Sequence, residues 1–184
     1  MAPLPLSELE NGLADVQESP ADGGIVELIV RRPAENEREV LSEASLDLVE
    51  GLVGDGWMAR GSGSTPDQRS HPDAQLTLMN ARVIALLAGD PDRRALAGDQ
   101  LYVDLDLSVD NLPPGTRVHL GTAVIEVTAK PHTGCAKFAA RFGSDALRFV
   151  NSDVGRALRL RGVNARVVQN GTVRVGDAVR KAAG

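Results

Sequence analysis

The strongest constraint in this sequence is a succession of short, β-branched runs, each closed by glycine, asparagine or proline before it can grow into a long element. Residues 25–30, 75–79, 101–103, 117–120 and 123–128 read as strands of this kind. Gly121-Thr122 joins the last two as a hairpin, and Asn170-Gly171, the strongest hairpin signal in the chain, predicts another between residues 165–168 and 172–175. Short strands at such close spacing leave many edges, and closing the sheet on itself removes them. The expected fold is therefore mostly β with a few helices (α+β), an antiparallel, closed or nearly closed β-barrel.

Helical signals are fewer. Asn80 is placed to cap a helix over residues 81–88 that stops at Gly89. Phe138, Phe142, Ala146 and Phe149 form a narrow apolar stripe at helical spacing, with Gly143 placed to split it and Ser144 to cap the second half. Residues 35–50 read as partly helical, and residues 59–73, with Gly61-x-Gly63, as a long polar loop. Residues 1–22 are acidic, carry prolines at 3, 5 and 20, and read as an N-terminal arm with a short helix over 7–17. Residues 23–184 then form a single barrel domain, a length that buries about two-thirds of its unfolded surface.

The charge balance narrows the function. The net charge of −5 and only five aromatic residues argue against nucleic acid as a partner. No apolar run approaches the roughly 18 residues that span a bilayer, the first twenty residues do not resemble a targeting signal, and a single cysteine suits a reducing compartment. A cytoplasmic protein that does not engage membranes is expected. The charge is uneven: residues 1–129 carry 9 basic and 22 acidic side chains, residues 130–184 carry 11 and 3. Arg156, Arg159, Arg161 and Arg166 fall within eleven residues, a density that suits a small anionic ligand.

Chemistry points to Pro131-His132-Thr133-Gly134-Cys135-Ala136-Lys137. Cys135 follows a strand and opens a helix, where the helix dipole, His132 and Lys137 favour a thiolate that could serve as nucleophile, sulfur acceptor or soft metal ligand. The competing reading is a buried cysteine acting as a small hydrophobe. His71, His119 and His132 are too scattered for a zinc site, so no zinc is expected. Gly61-x-Gly63 lacks the third glycine of a dinucleotide turn and reads as a flexible loop.

Several blocks recur in a known order: Gly51-Leu-Val-Gly54-Asp55, Gln75-Leu-Thr-Leu-Met79, Gly98-Asp-Gln-Leu101, Leu112-Pro-Pro-Gly-Thr116, Gly121-Thr-Ala-Val-Ile-Glu-Val-Thr128, Gly134-Cys135, Arg161-Gly162-Val163 and Gly171-Thr-Val-Arg-Val-Gly-Asp177. In this order and spacing they resemble the MOSC domain, named for the C-terminal domain of molybdenum cofactor sulfurase. The resemblance implies a barrel in which Cys135 accepts sulfur as a persulfide or ligates molybdenum of a molybdopterin cofactor. It also implies that His132, Thr133, Gly134, Lys137, Arg161 and Arg166 surround that anionic cofactor. The chain departs from the family pattern at His132 and Gly134, where an Arg and a Pro are common before the cysteine. The pyridoxal-phosphate desulfurase domain of the sulfurase has no room in this length, so a separate sulfur donor, such as a cysteine desulfurase, is the implied partner. Two alternatives stand beside sulfur carriage: a molybdenum-dependent reductase of N-hydroxylated compounds served by a redox partner, and a non-catalytic binding or interaction barrel.

Overall fold

A computed structural model describes residues 3–61 and 65–182. Its strands are β1 (Gly24–Arg31), β2 (Glu39–Leu41), β3 (Glu43–Asp47), β4 (Gly51–Leu52), β5 (Leu76–Asn80), β6 (Leu101–Asp104), β7 (Arg117–Leu120), β8 (Ala123–Val127), β9 (Val163–Gln169), β10 (Gly171–Arg174) and β11 (Ala178–Lys181). The helices are α1 (Leu6–Asn11), α2 (Leu13–Gln17), α3 (Trp57–Arg60), α4 (Ala81–Ala88), α5 (Ala136–Phe142), α6 (Ser144–Asn151) and α7 (Asp153–Ala157). Ser62, Gly63 and Ser64 of the expected polar loop lie outside the described residues.

Seven strands close a barrel in the order β11-β7-β8-β9-β5-β6-β1, with β1 returning to β11. One edge of β1 is shared: Gly24 and Ile25 pair with β11, while Ile29 to Arg31 pair with β2. The barrel is mixed rather than antiparallel, because β5 and β6 run parallel, with Leu78 opposite Leu101. A parallel pair needs a crossover, and the helix capped by Asn80 provides it. Alternation along these two strands divides the core. Leu76, Leu78, Leu101 and Val103 fill the barrel, whereas Met79 and Tyr102 face a helical layer built on Leu9, Val83, Phe138, Phe142 and Phe149.

Local signals held where partners are close in sequence. Strands β7 and β8 form the hairpin over Gly121-Thr122, with Leu120 opposite Ala123. Helix α4 runs from the Asn80 cap to Gly89. The aromatic stripe splits at Gly143, although the cap there is Gly143 itself and Ser144 makes no capping hydrogen bond.

Two expectations are corrected. Residues 35–50 are not helical, since β3 pairs with β10 and alternation buries Ala44 and Leu46. Asn170-Gly171 does not close a two-strand hairpin, since β9 stays in the barrel while β10 leaves for a three-stranded sheet, β10-β3-β4. The Asn170 side chain accepts from Leu48 N and donates to Asp47, and a Cβ on Gly171 would lie 2.4 Å from Ala123 N. Close approach at a corner, not a type I′ turn, demands that glycine. Among the described residues no helix is long and apolar enough to cross a membrane.

Asn80 joins three elements. Its Oδ1 accepts from Arg82 N and Val83 N, and its Nδ2 donates to Ser19 Oγ and Leu105 O, both at 2.8 Å. Asn80→Ala should lower the unfolding free energy by about 2–3 kcal/mol, read from the denaturant midpoint at unchanged slope. A loss below about 0.5 kcal/mol would show that the cap is replaceable by water.

Candidate functional site

The segment between β8 and α5, which carries Cys135, is held by polar hooks along its length. Asn164 on β9, buried, donates from Nδ2 to Lys130 O at 3.0 Å and Pro131 O at 3.1 Å. Asn151 at the end of α6 clamps Gly134, its Oδ1 accepting from Gly134 N at 3.0 Å and its Nδ2 donating to Gly134 O at 3.2 Å. Between these, His132 Nε2 donates to Asp99 Oδ1 at 2.7 Å.

Asp99 is wholly buried and accepts from Arg161 Nη1 through its other oxygen at 2.6 Å. Burial alone would raise its pKa, but the Arg161 guanidinium and His132 outweigh burial and lower it to about 2. His132 moves the opposite way from a paired cation: burial, and then the charge of Arg161, lower its pKa, so its ring is neutral. Arg161 also donates to Ala97 O and lies over the Phe138 ring at 5.0 Å. Gly162, at φ +105°, lets this corner form, because a Cβ there would meet Leu78 O at 2.1 Å.

Cys135 is exposed, at the N-cap position of α5 with no capping hydrogen bond from its side chain. It lines a pocket with six cationic side chains: Arg32, Arg38, Arg60, Lys137, Arg141 and Arg161. Buried Asp55 fixes two of them. Arg32 grips it through Nε and Nη2, both at 2.9 Å, and Arg60 reaches it at 3.3 Å. Burial would raise the pKa of Asp55, but Arg32 and then Arg60 draw it down. Arg38 and Arg141 have no carboxylate partner among the described residues; Arg141 donates to Leu96 O and Asn36 Oδ1, Arg38 to Glu37 O. Burial, and then the charges of Arg141 and Arg32, lower the pKa of Arg38. The pocket thus concentrates positive charge that the chain itself only partly neutralises.

The sequence-predicted residues divide. Cys135, Lys137 and Arg161 share the pocket, although Lys137 Nζ is paired with Glu35 at 3.0 Å. His132 and Thr133 line a different cavity, and His132 adds no charge near the sulfur because burial keeps it neutral. Gly134 is held in the Asn151 clamp. Arg166 stands on the outside of β9, paired with Glu126 at 2.7 Å and with Asp73 at 3.8 Å, away from the cysteine pocket. Of the arginines from 156 to 166, only Arg161 lines the pocket of Cys135. Arg32, Arg38, Arg60 and Arg141 were missed. The first three lie inside the acidic part of the chain, where 9 basic side chains stand against 22 acidic ones, and that rarity was the available signal.

Fold and site together define a small α+β barrel protein that presents one exposed cysteine in a cationic pocket. A family model described as MOSC domain matches residues 69–180, and the chain belongs to the MOSC domain family. Arg32, Arg38 and Arg60 lie before the matched stretch. The fold is similar to that of the YuaD protein from Bacillus subtilis, with a TM-score of 0.65 at 17% identity, covering 88% of this chain and 97% of that one. It is also similar to YiiM from Escherichia coli, with a TM-score of 0.55 at 19% identity over 87% of this chain and 70% of that one. YiiM from Geobacillus stearothermophilus gives 0.53 at 14% identity, covering 87% and 73%. No curated protein matches.

Asp99 gives the site an acid limit. A carboxylate whose folded pKa is lowered from 3.8 to about 2 contributes fully above the unfolded value and is lost as the pH falls through the folded one. That shift corresponds to about 2 kcal/mol, lost between about pH 4 and pH 2. Asp99→Ala, which strands Arg161, should cost about 3–5 kcal/mol near neutral pH and flatten the stability profile in that acid window. Unfolding titrations across pH check both, and an unchanged profile would remove Asp99 from its anchoring role.

Proposed function

We propose that this MOSC protein binds an anionic sulfur-bearing partner at Cys135, either molybdopterin cofactor or sulfur held as a persulfide on Cys135 for delivery to a metal-sulfur or cofactor assembly. The observation that carries this reading is the exposed thiol among six cations, two of them without a carboxylate partner among the described residues. The pocket fits such a cofactor by its donor set. Arg38, with a buried Nε that has no partner, and Arg141 would hold the phosphate, and Cys135 offers a soft ligand. When bound, the cofactor supplies molybdenum and dithiolene sulfur. The buried-thiol alternative loses its support, because Cys135 is exposed.

In sulfur carriage, the Cys135 thiolate attacks the outer sulfur of a donor persulfide. The new S–S bond forms at Cys135, the donor S–S bond breaks, and the donor departs as a thiolate. The cationic lining draws the anionic donor in, and the Asn151 clamp on Gly134 keeps the sulfur presented while the reaction proceeds.

Incubation with a persulfide-loaded cysteine desulfurase, followed by alkylation and mass analysis, tests the reading. The wild type should gain one sulfur on Cys135, and Cys135→Ser none. Replacing both Arg38 and Arg141 by glutamine should weaken binding of molybdopterin, followed by its absorbance, at least about tenfold. Sulfur gain in Cys135→Ser, together with unchanged cofactor affinity in the double variant, would contradict the proposal.

A further inference from the structure

A second cavity, of about 220 Å³, is lined by Thr128 to Thr133 of the same segment and by Arg156, Arg159, Arg161 and Asn164. Cys135 is not among its lining residues, and only Arg161 is common to both. The wall carries three arginines, Arg156, Arg159 and Arg161; Arg156 pairs with Asp153 at 3.3 Å and Arg161 with Asp99 at 2.6 Å, while Arg159 has no carboxylate partner among the described residues. Arg161 is 8% exposed, and its buried Nε has no hydrogen-bond partner. Arg159 holds a left-handed backbone, φ +49°, rare for a residue with a side chain, and spends Nη1 on Leu112 O at 2.6 Å. The unpartnered Arg161 Nε and the Arg159 charge favour an anion, and the cavity volume suits a compact one.

His132 adds selectivity. Its Nε2 faces an ionised carboxylate, so Nε2 carries the ring proton. Burial and the nearby Arg161 charge oppose a second proton. The other nitrogen, Nδ1, therefore keeps its lone pair, and it makes no hydrogen bond to any described residue. An acceptor of this kind repels an oxyanion that has only lone pairs and pairs with one that still carries a hydroxyl proton.

We propose that this cavity is a binding site for a compact, hydrogen-bearing tetrahedral oxyanion of the hydrogen phosphate type. The arginine wall supplies affinity, and His132 Nδ1 accepts the hydrogen bond from the ligand's P–OH. The site discriminates against sulfate, which has the same shape and charge but no proton to donate. It excludes Cys135 while sharing Arg161 with the cysteine pocket, and it takes its orientation from the Asp99–His132 pair.

Intact protein in phosphate-free, slightly alkaline buffer can be titrated with inorganic phosphate and with sulfate at matched ionic strength, by calorimetry and by ring ¹⁵N spectra of the histidines. Phosphate should bind about tenfold or more tightly than sulfate, and the His132 Nδ1 resonance should move with phosphate alone. His132→Gln should abolish the preference. Arg159→Gln should weaken both anions and keep it, which preserves the test if the histidine variant does not fold. Cys135→Ser should leave both titrations unchanged. Equal affinity for the two anions, an Nδ1 resonance insensitive to phosphate, or the absence of saturable phosphate binding would overturn the proposal.

Discussion

One buried carboxylate organises the site. Asp99 sits between β5 and β6 in sequence, yet it holds Arg161 at the entry to β9 and His132 in the segment leading to Cys135. A buried ion pair adds little net stability over an apolar core, but losing one partner leaves a charge that the interior cannot solvate. This asymmetry makes the cluster a positional lock. Three stretches of chain far apart in sequence must meet for the Asp99–Arg161 ion pair and the His132 hydrogen bond to form together. Asn164 and Asn151 then fix the two ends of the segment, so that the thiol's position follows from polar hooks rather than apolar packing.

Asp55 plays the matching part across the pocket. Buried between β4 and α3, it grips Arg32 in three contacts, one of them from the backbone N–H, and draws in Arg60. Those arginines come from the acidic part of the chain, so the positive field around Cys135 is assembled from both halves of a charge distribution that looked segregated. Arg38 and Arg141 complete it without carboxylates of their own, and mutual repulsion with Arg32 leaves the cluster suited to an anion.

How much of this was legible depended on distance along the chain. The Asn80 cap, the Gly89 stop, the hairpin over Gly121-Thr122 and the split at Gly143 rest on neighbours within a few residues, and all appeared as read. The parallel β5–β6 pair, the strand over residues 43–47 in a stretch that reads as partly helical, and the corner at Asn170-Gly171 depend on partners more than twenty residues away. Cys135 was legible because a lone thiol ahead of an amphipathic helix is chemically conspicuous. Arg166 was misassigned for the converse reason. Basic density in sequence does not say which way a strand residue points, and Arg166 faces Glu126 across the outer surface of the sheet. His132 was placed near the thiol by spacing, but its turn toward Asp99 could not be read without the fold.

The central claim is that Cys135 and its cationic surroundings hold an anionic sulfur-bearing group. It is tested most directly by intact mass and molybdenum analysis of the protein isolated, without reductant, from cells that make molybdopterin. Expected is either the mass increment of a single sulfur atom on Cys135, removed by reduction, or molybdenum at a stoichiometric level, and Cys135→Ser should abolish either one. An unmodified thiol with no molybdenum, in protein isolated alongside active molybdenum enzymes, would contradict it.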